Sequence, residues 1–390
     1  GFTKWKAYIF LSGHLEKVIG VSELYTDSRI KLLFSDMFSQ QYEQMREVIN
    51  VNESAFFTLL KAHCQLAPEY LEAVSQAMLE QEKSSSIYYS DNDLLGLGGR
   101  ISPNFKPGWC PDYFLEYDYS GPVYTVSANT LSDALELVDR DAGDYAWQLL
   151  MQAAIHNIDV EVSRIPFVLW HEYKKTEDSD KDELISLLHD SRRALLRTNL
   201  NRKTPALVKP TSSFRSCIDY KLPEPQPGVE IIIPTRDQAE LLKTCITSLF
   251  RLTEYSNYHI TIVNNRSRER ATIEYFKSLE GNEKISIEEY DHPFNYSAIN
   301  NKIALDSNKE FVCFMNNDIE VTSQDWLTKM ISQAARPEIG CVGARLIYPD
   351  KKHIQHAGVI IGLGGVAGHA YPRISVDDAD NEERINSVQN

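Results

Sequence analysis

Asn316, Asn317 and Asp318 end a short apolar run, Glu310-Phe-Val-Cys-Phe-Met315, and are the residues best placed to do chemistry. A run of this length, rich in Val and Phe, suits a fully buried parallel strand. Open α/β sheets bind their ligands outside the carboxyl ends of such strands. A carboxylate there, flanked by two amides, is a hard-oxygen site for Mg²⁺ or Mn²⁺ held partly by a ligand's phosphates. The same triplet is also ordinary turn chemistry, and taken alone it leaves both readings open.

Three further groups invite a chemical reading. Tyr88-Tyr-Ser-Asp-Asn-Asp93 contains a literal Asp-x-Asp, which reads as an exposed turn at a strand end. His353, His356 and His369 have neither the spacing of a helical His pair nor an accompanying cysteine, so contact with substrate is the better reading than ligation. Gly362-x-Gly364-x-x-Ala367 follows the apolar Val359–Ile361 and satisfies the dinucleotide fingerprint. That fingerprint requires a helix directly afterwards, and His369-Ala-Tyr-Pro372 carries no helical stripe, so a loop fits better.

These residues sit in a globular frame. The 390 residues are 43% hydrophobic and 24% charged, enough for two domains with their own cores. With 55 acidic against 40 basic residues the formal charge is −15, which leaves no footprint for nucleic acid, so phosphate ligands need a local metal or helix N-terminus. The six cysteines, at 64, 110, 217, 245, 313 and 341, show no paired spacing and read as reduced residues of a cytoplasmic protein. No apolar run approaches the ~18 residues of a membrane span. The chain begins with Gly and not Met, which reads as an excised fragment or the scar of a tag.

Strands and helices alternate along the chain. Ala7–Leu11, Ile30–Phe34, 55–60 and Ile165–Trp170 read as strands, and 40–50, 68–81, 145–155 and 182–200 as helices. A Gly-, Pro- and aromatic-rich stretch over 94–122 reads as a long binding loop. Five prolines mark 205–228 as a linker between units 1–204 and 229–390. In the second unit 229–234, 259–263, 285–288 and 311–315 read as strands, with Asp237 and Ser323 as helix caps.

The halves are also related. Arg29–Lys31 lies 255 residues before Lys284–Ser286, and 55–61 lies 255 before 310–316 (284 − 29 and 310 − 55). By this alignment the first unit lacks its opening strand, and the second ends before the counterpart of the helix at Tyr145. The slot matching Asn316–Asp318 is Lys61-Ala-His63, whose basic side chains cannot replace a metal-binding carboxylate.

Five motifs, in order, carry a family resemblance over residues 229 to about 371: Ile231-Ile-Ile-Pro-Thr-Arg-Asp237, Ile262-Val-Asn-Asn265, Phe294-Asn-Tyr-Ser-Ala-Ile-Asn-Asn301, Asn316-Asn-Asp318, and Ile354-Gln-His-Ala-Gly358 running into Gly362–His369. Together they resemble the nucleotide-binding part of a family 2 glycosyltransferase, particularly the tandem enzymes of bacterial surface-polysaccharide synthesis such as O-antigen or capsule. The resemblance implies an α/β fold of two Rossmann-like A-type units with mainly parallel sheets flanked by helices, both incomplete here.

It also implies roles. Pro234, Thr235, Arg236, Asp237, Asn264, Asn301 and Asn317 would line the nucleotide, Asp318 and Asn316 would hold Mg²⁺ or Mn²⁺, and His356, Gly358, Gly364, Gly365 and His369 would form a loop near the donor sugar or acceptor. Asn316 stands where the family carries a carboxylate, which lowers the site's charge. The general base would be an Asp or Glu beyond Asn390, with Asp144 at the equivalent place in the first unit. The implied reaction moves a hexosyl or deoxyhexosyl group, with inversion, from a UDP- or dTDP-linked donor to a glycan or lipid-linked glycan at the inner face of the membrane. A non-catalytic scaffold that uses the nucleotide fold to hold a glycan or partner is the alternative.

Overall fold

The computed structural model describes residues 5–11, 28–34, 37–50, 56–61, 63–80, 86–96, 98–140, 144–156, 160–173, 181–211, 215–377 and 387. Ala55, Ala62 and Gln81 lie outside them. The chain divides into one unit of Gly1–Lys203, Val208–Ile218 and Ile374–Asn390, and another of Thr204–Leu207 and Asp219–Arg373.

The first unit opens with β1 (Ala7–Leu11), β2 (Ile30–Phe34), α1 (Phe38–Asn50), β3 (Phe56–Leu59), β4 (Cys64–Leu66) and α2 (Tyr70–Glu80). Then come β5 (Ser86–Gly96), β6 (Gly99–Asn104), α3 (Pro111–Glu116), β7 (Tyr124–Ser127), α4 (Ala128–Leu135), α5 (Tyr145–His156), β8 (Glu161–Tyr173) and α6 (Lys181–Lys203). β1 and β2 pair in parallel, but the main sheet, in the order β3-β7-β5-β8-β4 with β6 on β5, is mixed, and only β5–β8 is parallel. The expectation of mainly parallel sheets therefore needs correction in this unit. Residues 94–122 are not one loop, because β5 runs to Gly96 and β6 and α3 follow. Residues 205–228 are not a plain linker either, since β9 (Ala206–Pro210) and β10 (Ser216–Tyr220) form a two-stranded sheet.

The larger correction concerns Tyr88–Asp93, which is buried inside β5 and is no exposed turn. Charges placed there need partners. Arg164 on β8 donates to both Asp91 oxygens at 2.9 and 2.6 Å, and the Lys106 backbone N–H adds a third bond at 2.9 Å. Asp93 meets His171 Nδ1 at 2.5 Å and Arg100 Nε at 2.6 Å. Removing one partner of such a pair costs about 3–5 kcal/mol, because a bare charge remains buried. Lys106 lies beneath the same sheet, with Nζ donating to the Ser120 carbonyl at 2.6 Å and lying 4.5 Å from the centre of the Trp170 ring. Gly121, at φ +75°, permits this approach, since a Cβ there would sit 2.8 Å from Trp170.

The second unit has the expected element order: β11 (Val229–Thr235), α7 (Ala239–Leu252), β12 (Tyr258–Asn264), α8 (Arg270–Leu279), β13 (Ile285–Glu289), α9 (Tyr296–Asp306), β14 (Phe311–Phe314) and α10 (Trp326–Ala334), but β14 is an edge strand with Val312 and Phe314 exposed and not the fully buried strand its composition suggested. The sheet order is β13-β12-β11-β14, all parallel. Val229, Ile231 and Ile233 face one core with Leu242, Cys245, Ile246 and Leu249 of α7, Phe276 of α8, and Leu327 and Ile331 of α10. Ile232 and Val263 face the opposite side, under Ile299 and Ile303 of α9. Burial on both faces explains why β11 is an unbroken apolar run without alternation. Four short strands follow: β15 (Leu346–Ile347), β16 (Ile354–His356), β17 (Val359–Ile361) and β18 (Ala367–His369).

Burial pushes the Lys106 amine down to about 7 from its ordinary 10.5, against the pull of Asp118 and Asp91. Between those limits the unfolded chain holds a proton that the folded unit lacks, so stability rises with pH across this window and is lost as pH falls toward 7. In thermal melts from pH 6 to 10, the melting temperature of the wild type minus that of Lys106→Met should therefore climb above pH 7. A flat difference would contradict the burial of this amine.

Candidate functional site

The carboxyl ends of β11, β12 and β14 carry Pro234–Asp237, Asn264 and Asn316–Asp318 to one edge of the sheet. The sheet order reverses at β11, so the loops after β11 and β14 part on either side of a topological switch point. Asn317 bridges it, its Nδ2 donating to Thr235 Oγ1 at 2.9 Å. Thr235 is buried and Pro234 half-buried, while Arg236 is exposed.

Asp237 and Gln238 follow at φ +56° and +58°, a tight left-handed turn without glycine. Such conformations cost of order 1–3 kcal/mol each and gather at functional sites. Asp237 does not cap α7, whose N-cap is Gln238 with no side-chain bond. Instead its Oδ1 accepts the backbone N–H groups of Arg268 and Glu269 at 2.6 and 2.8 Å, and its own N–H donates to Ser267 Oγ at 2.8 Å. These bonds, that of Glu269 foremost, hold its carboxyl below the usual range. Ser323 is likewise not a helix cap; it donates to Asp325, the N-cap of α10.

Asn264 is buried at the tip of β12 with its amide fully engaged. Nδ2 donates to both Glu289 oxygens at 2.9 and 3.0 Å, and Oδ1 accepts from Ser267 N at 2.9 Å. Neighbouring Asn265, not singled out from sequence, donates to the carbonyls of Tyr290 and His292 at 3.0 and 2.9 Å. Register alone places Glu289 beside Asn264, so this pair is readable once the strands are aligned. Asn301 is exposed on α9, whereas Asn300 before it is buried with an unpartnered Oδ1.

Asn316 and Asp318 are exposed at the end of β14, and Asp318 makes no hydrogen bond or ion pair among the described residues. Beneath the loop the Cys245 thiol is pushed up to about 12 by burial, with the Asp318 charge adding to the effect. No three His, Cys, Asp or Glu side chains gather as a metal cage among the described residues. A hard ion that keeps waters and ligand phosphates needs only one or two protein carboxylates. The free Asp318 oxygens, two residues after the exposed Asn316, fit such an ion.

The Gly-rich segment is a hairpin, β17 against β18, turning at Gly362 and Gly365 with φ +86° and +96°. Gly364 lies in the turn, and no helix follows it. Gly358, at φ +116°, accepts from Ala370 N at 2.9 Å. This closure brings His356 and His369 together, Nδ1 to Nδ1, at 2.9 Å. Partial burial and the neighbouring imidazole hold His356 below its ordinary value. His353 stands apart from this pair, bound to Asp350 at 2.6 Å.

The second unit is thus a parallel α/β sheet with a free carboxylate at its switch point. Residues 230–364 match the glycosyl transferase family 2 model. Two curated relatives match most of the chain. "Uncharacterized protein y4gI" of Sinorhizobium fredii is 32% identical over 354 residues, 88% of this chain and 38% of its own length. O-antigen biosynthesis protein RfbC of Myxococcus xanthus is 30% identical over 350 residues, 89% of this chain and 27% of its own. The chain therefore spans well under half of either relative. Among solved structures, mannosyltransferase PcManGT of Pyrobaculum calidifontis, in complex with GDP-Man and Mn²⁺, is 18% identical with a TM-score of 0.29, covering 42% of this chain and 46% of its own. S. aureus TarS 1–349 in complex with UDP-GlcNAc is 13% identical with a TM-score of 0.25, covering 28% and 31%.

Asn264→Ala should destabilise the second unit by about 1–3 kcal/mol, since Ser267 N and the Glu289 carboxylate lose their partner at the tip of a buried strand. Urea unfolding measures this; an unchanged midpoint would mean that the Asn264 bonds organise nothing.

Proposed function

We propose that the second unit binds a nucleoside-diphosphate sugar, UDP- or dTDP-linked, together with Mg²⁺ or Mn²⁺, and serves inverting sugar transfer to a glycan or lipid-linked glycan in surface-polysaccharide synthesis. The observation that carries this reading is the uncommitted Asp318 at the end of β14, beside the engaged Asn317, Thr235 and Asn264. The family match over residues 230–364 and the similarity to an O-antigen biosynthesis protein support it.

Asp318 would hold the cation with Asn316 as a neutral neighbour. That ion, when bound, acts as a Lewis acid on the diphosphate, where negative charge develops as the bond to the sugar breaks. The Asn317–Thr235 bond ties the metal-side loop to the nucleotide-side loop, fixing the distance between them. The strained Asp237–Gln238 turn, clamped through Ser267 and Glu269, presents the exposed Arg236 at the same edge of the sheet. The hairpin of His356, Gly358, Gly364, Gly365 and His369 would border the sugar or acceptor.

The first unit reads as a second copy no longer used for transfer. β2 and β13 begin 255 residues apart, as do β3 and β14 (285 − 30 and 311 − 56). Asp144, where a general base would stand, is bound by Arg192 at 2.7 Å and faces Lys61 at 3.6 Å, while His63 faces Glu172 at 3.4 Å. Both Asp144 oxygens are thus taken up by cations of its own unit.

Calorimetric titration of UDP and dTDP with Mn²⁺ should show Asp318→Ala losing metal-dependent binding with its melting temperature unchanged, and Lys61→Ala and His63→Ala binding as wild type. Loss in the Lys61 variant with retention in the Asp318 variant would reverse the assignment of the two units.

A further inference from the structure

We propose that His356 and His369 form a second divalent-metal site, for a borderline ion of the Zn²⁺, Co²⁺ and Ni²⁺ class, separate from the carboxylate at Asp318. Thirteen residues separate the two histidines in sequence, a spacing that signals nothing by itself. The hairpin brings them together: His356 ends β16, His369 ends β18, and His369 stands in register with Val359. Their Nδ1 atoms lie 2.9 Å apart, with the ring planes at 89°. Imidazole binds Zn²⁺ at about 2.0–2.1 Å. Two nitrogens at that length and at right angles about one ion are ~2.9 Å apart, and ~3.4 Å apart in a tetrahedron. The observed separation already matches adjacent ligands of one ion and needs only a few tenths of an ångström of opening for the tetrahedral case.

The pair is also held in advance. Ile354, two residues before His356, is fully buried, and Ala370, next to His369, is buried with its N–H on the Gly358 carbonyl. A site built on paired strands with buried flanks loses little freedom on binding an ion. Neither Nε2 has a hydrogen-bond partner among the described residues, so each ring's polar contact is with the other ring. Both rings reach solvent, which leaves the ion's remaining positions for water or an anionic group of a ligand. Neutral imidazoles select borderline ions, whereas a lone carboxylate with amides suits Mg²⁺ and Mn²⁺. The two sites should thus differ in ion preference, and the inference stands whether or not Asp318 binds a donor.

The test is Co²⁺ titration of the full chain at neutral pH, followed by visible absorption and by Zn²⁺ competition, in wild type, His356→Ala, His369→Gln, Cys341→Ser and Asp318→Ala. Cys341 is included because it is an exposed thiol. The expected result is one Co²⁺ in wild type, displaced by Zn²⁺, with affinity falling at least about tenfold in each His variant and unchanged in the Cys341 and Asp318 variants. Unchanged binding in both folded His variants, loss in the Cys341 variant, or no uptake by wild type would overturn the proposal. Loss in the Asp318 variant alone would overturn it too, by making the two sites one.

Discussion

The parallel register of β11 between β12 and β14 is the constraint on which the second unit depends. Thr235 pairs with Asn264 on one side, and Met315 N reaches Ile232 O at 3.0 Å on the other. β12 thus pairs β11 over Val229–Thr235 and β14 over Val229–Ile232, and burial on both faces makes every alternative register costly. Because parallel strands all point the same way, this pairing sends the loops after three strands to one edge. A slip of one residue would turn Ile231 and Ile233 out of their core and carry Asn317 away from Thr235.

Beyond that edge the polar groups divide into engaged and free. Thr235, Asp237, Asn264 and Asn265 all bond to the protein, and together they build a rigid rim from three separate loops. Asp318 stands outside this network and keeps its charge for something else. The first unit shows a different arrangement, in which Asp144 faces Arg192 and Lys61, Asp118 faces Arg192, and Glu172 faces His63. A carboxylate without a protein partner is open to a ligand, whereas a paired one is committed to the fold. This difference in pairing, more than any difference in backbone, separates the roles given to the two units.

Much of this was legible in the sequence, for reasons tied to distance along the chain. β1 and β2 have the bounds read from composition, and β3, β11, β12, β13 and β14 differ by a residue or two, because short apolar runs between breakers are local signals. Asn316–Asp318 could be placed at a strand tip for the same reason. Asp91 and Asp93 could not be placed, because Arg164 and His171, their partners on β8, lie 73 and 78 residues away, and without them two buried carboxylates look impossible. Asp237 has the right type and position for a cap, but its choice of α8 over α7 follows from the left-handed turn at Asp237–Gln238. The meeting of His356 and His369 depends on a hairpin that glycine spacing suggested only as a loop. Prolines at 205–228 mark breaks in helix, yet they are compatible with the edges of a two-stranded sheet.

The proposed cation site at Asp318, at the tip of β14, is open to anomalous diffraction from crystals grown with Mn²⁺ and UDP. An Mn²⁺ peak is expected at the Asp318 carboxylate, with the diphosphate beside it and the base toward Thr235 and Asn264. Nucleotide bound at that edge of the sheet with no ion at Asp318, or the ion and nucleotide together in the first unit, would contradict the proposal.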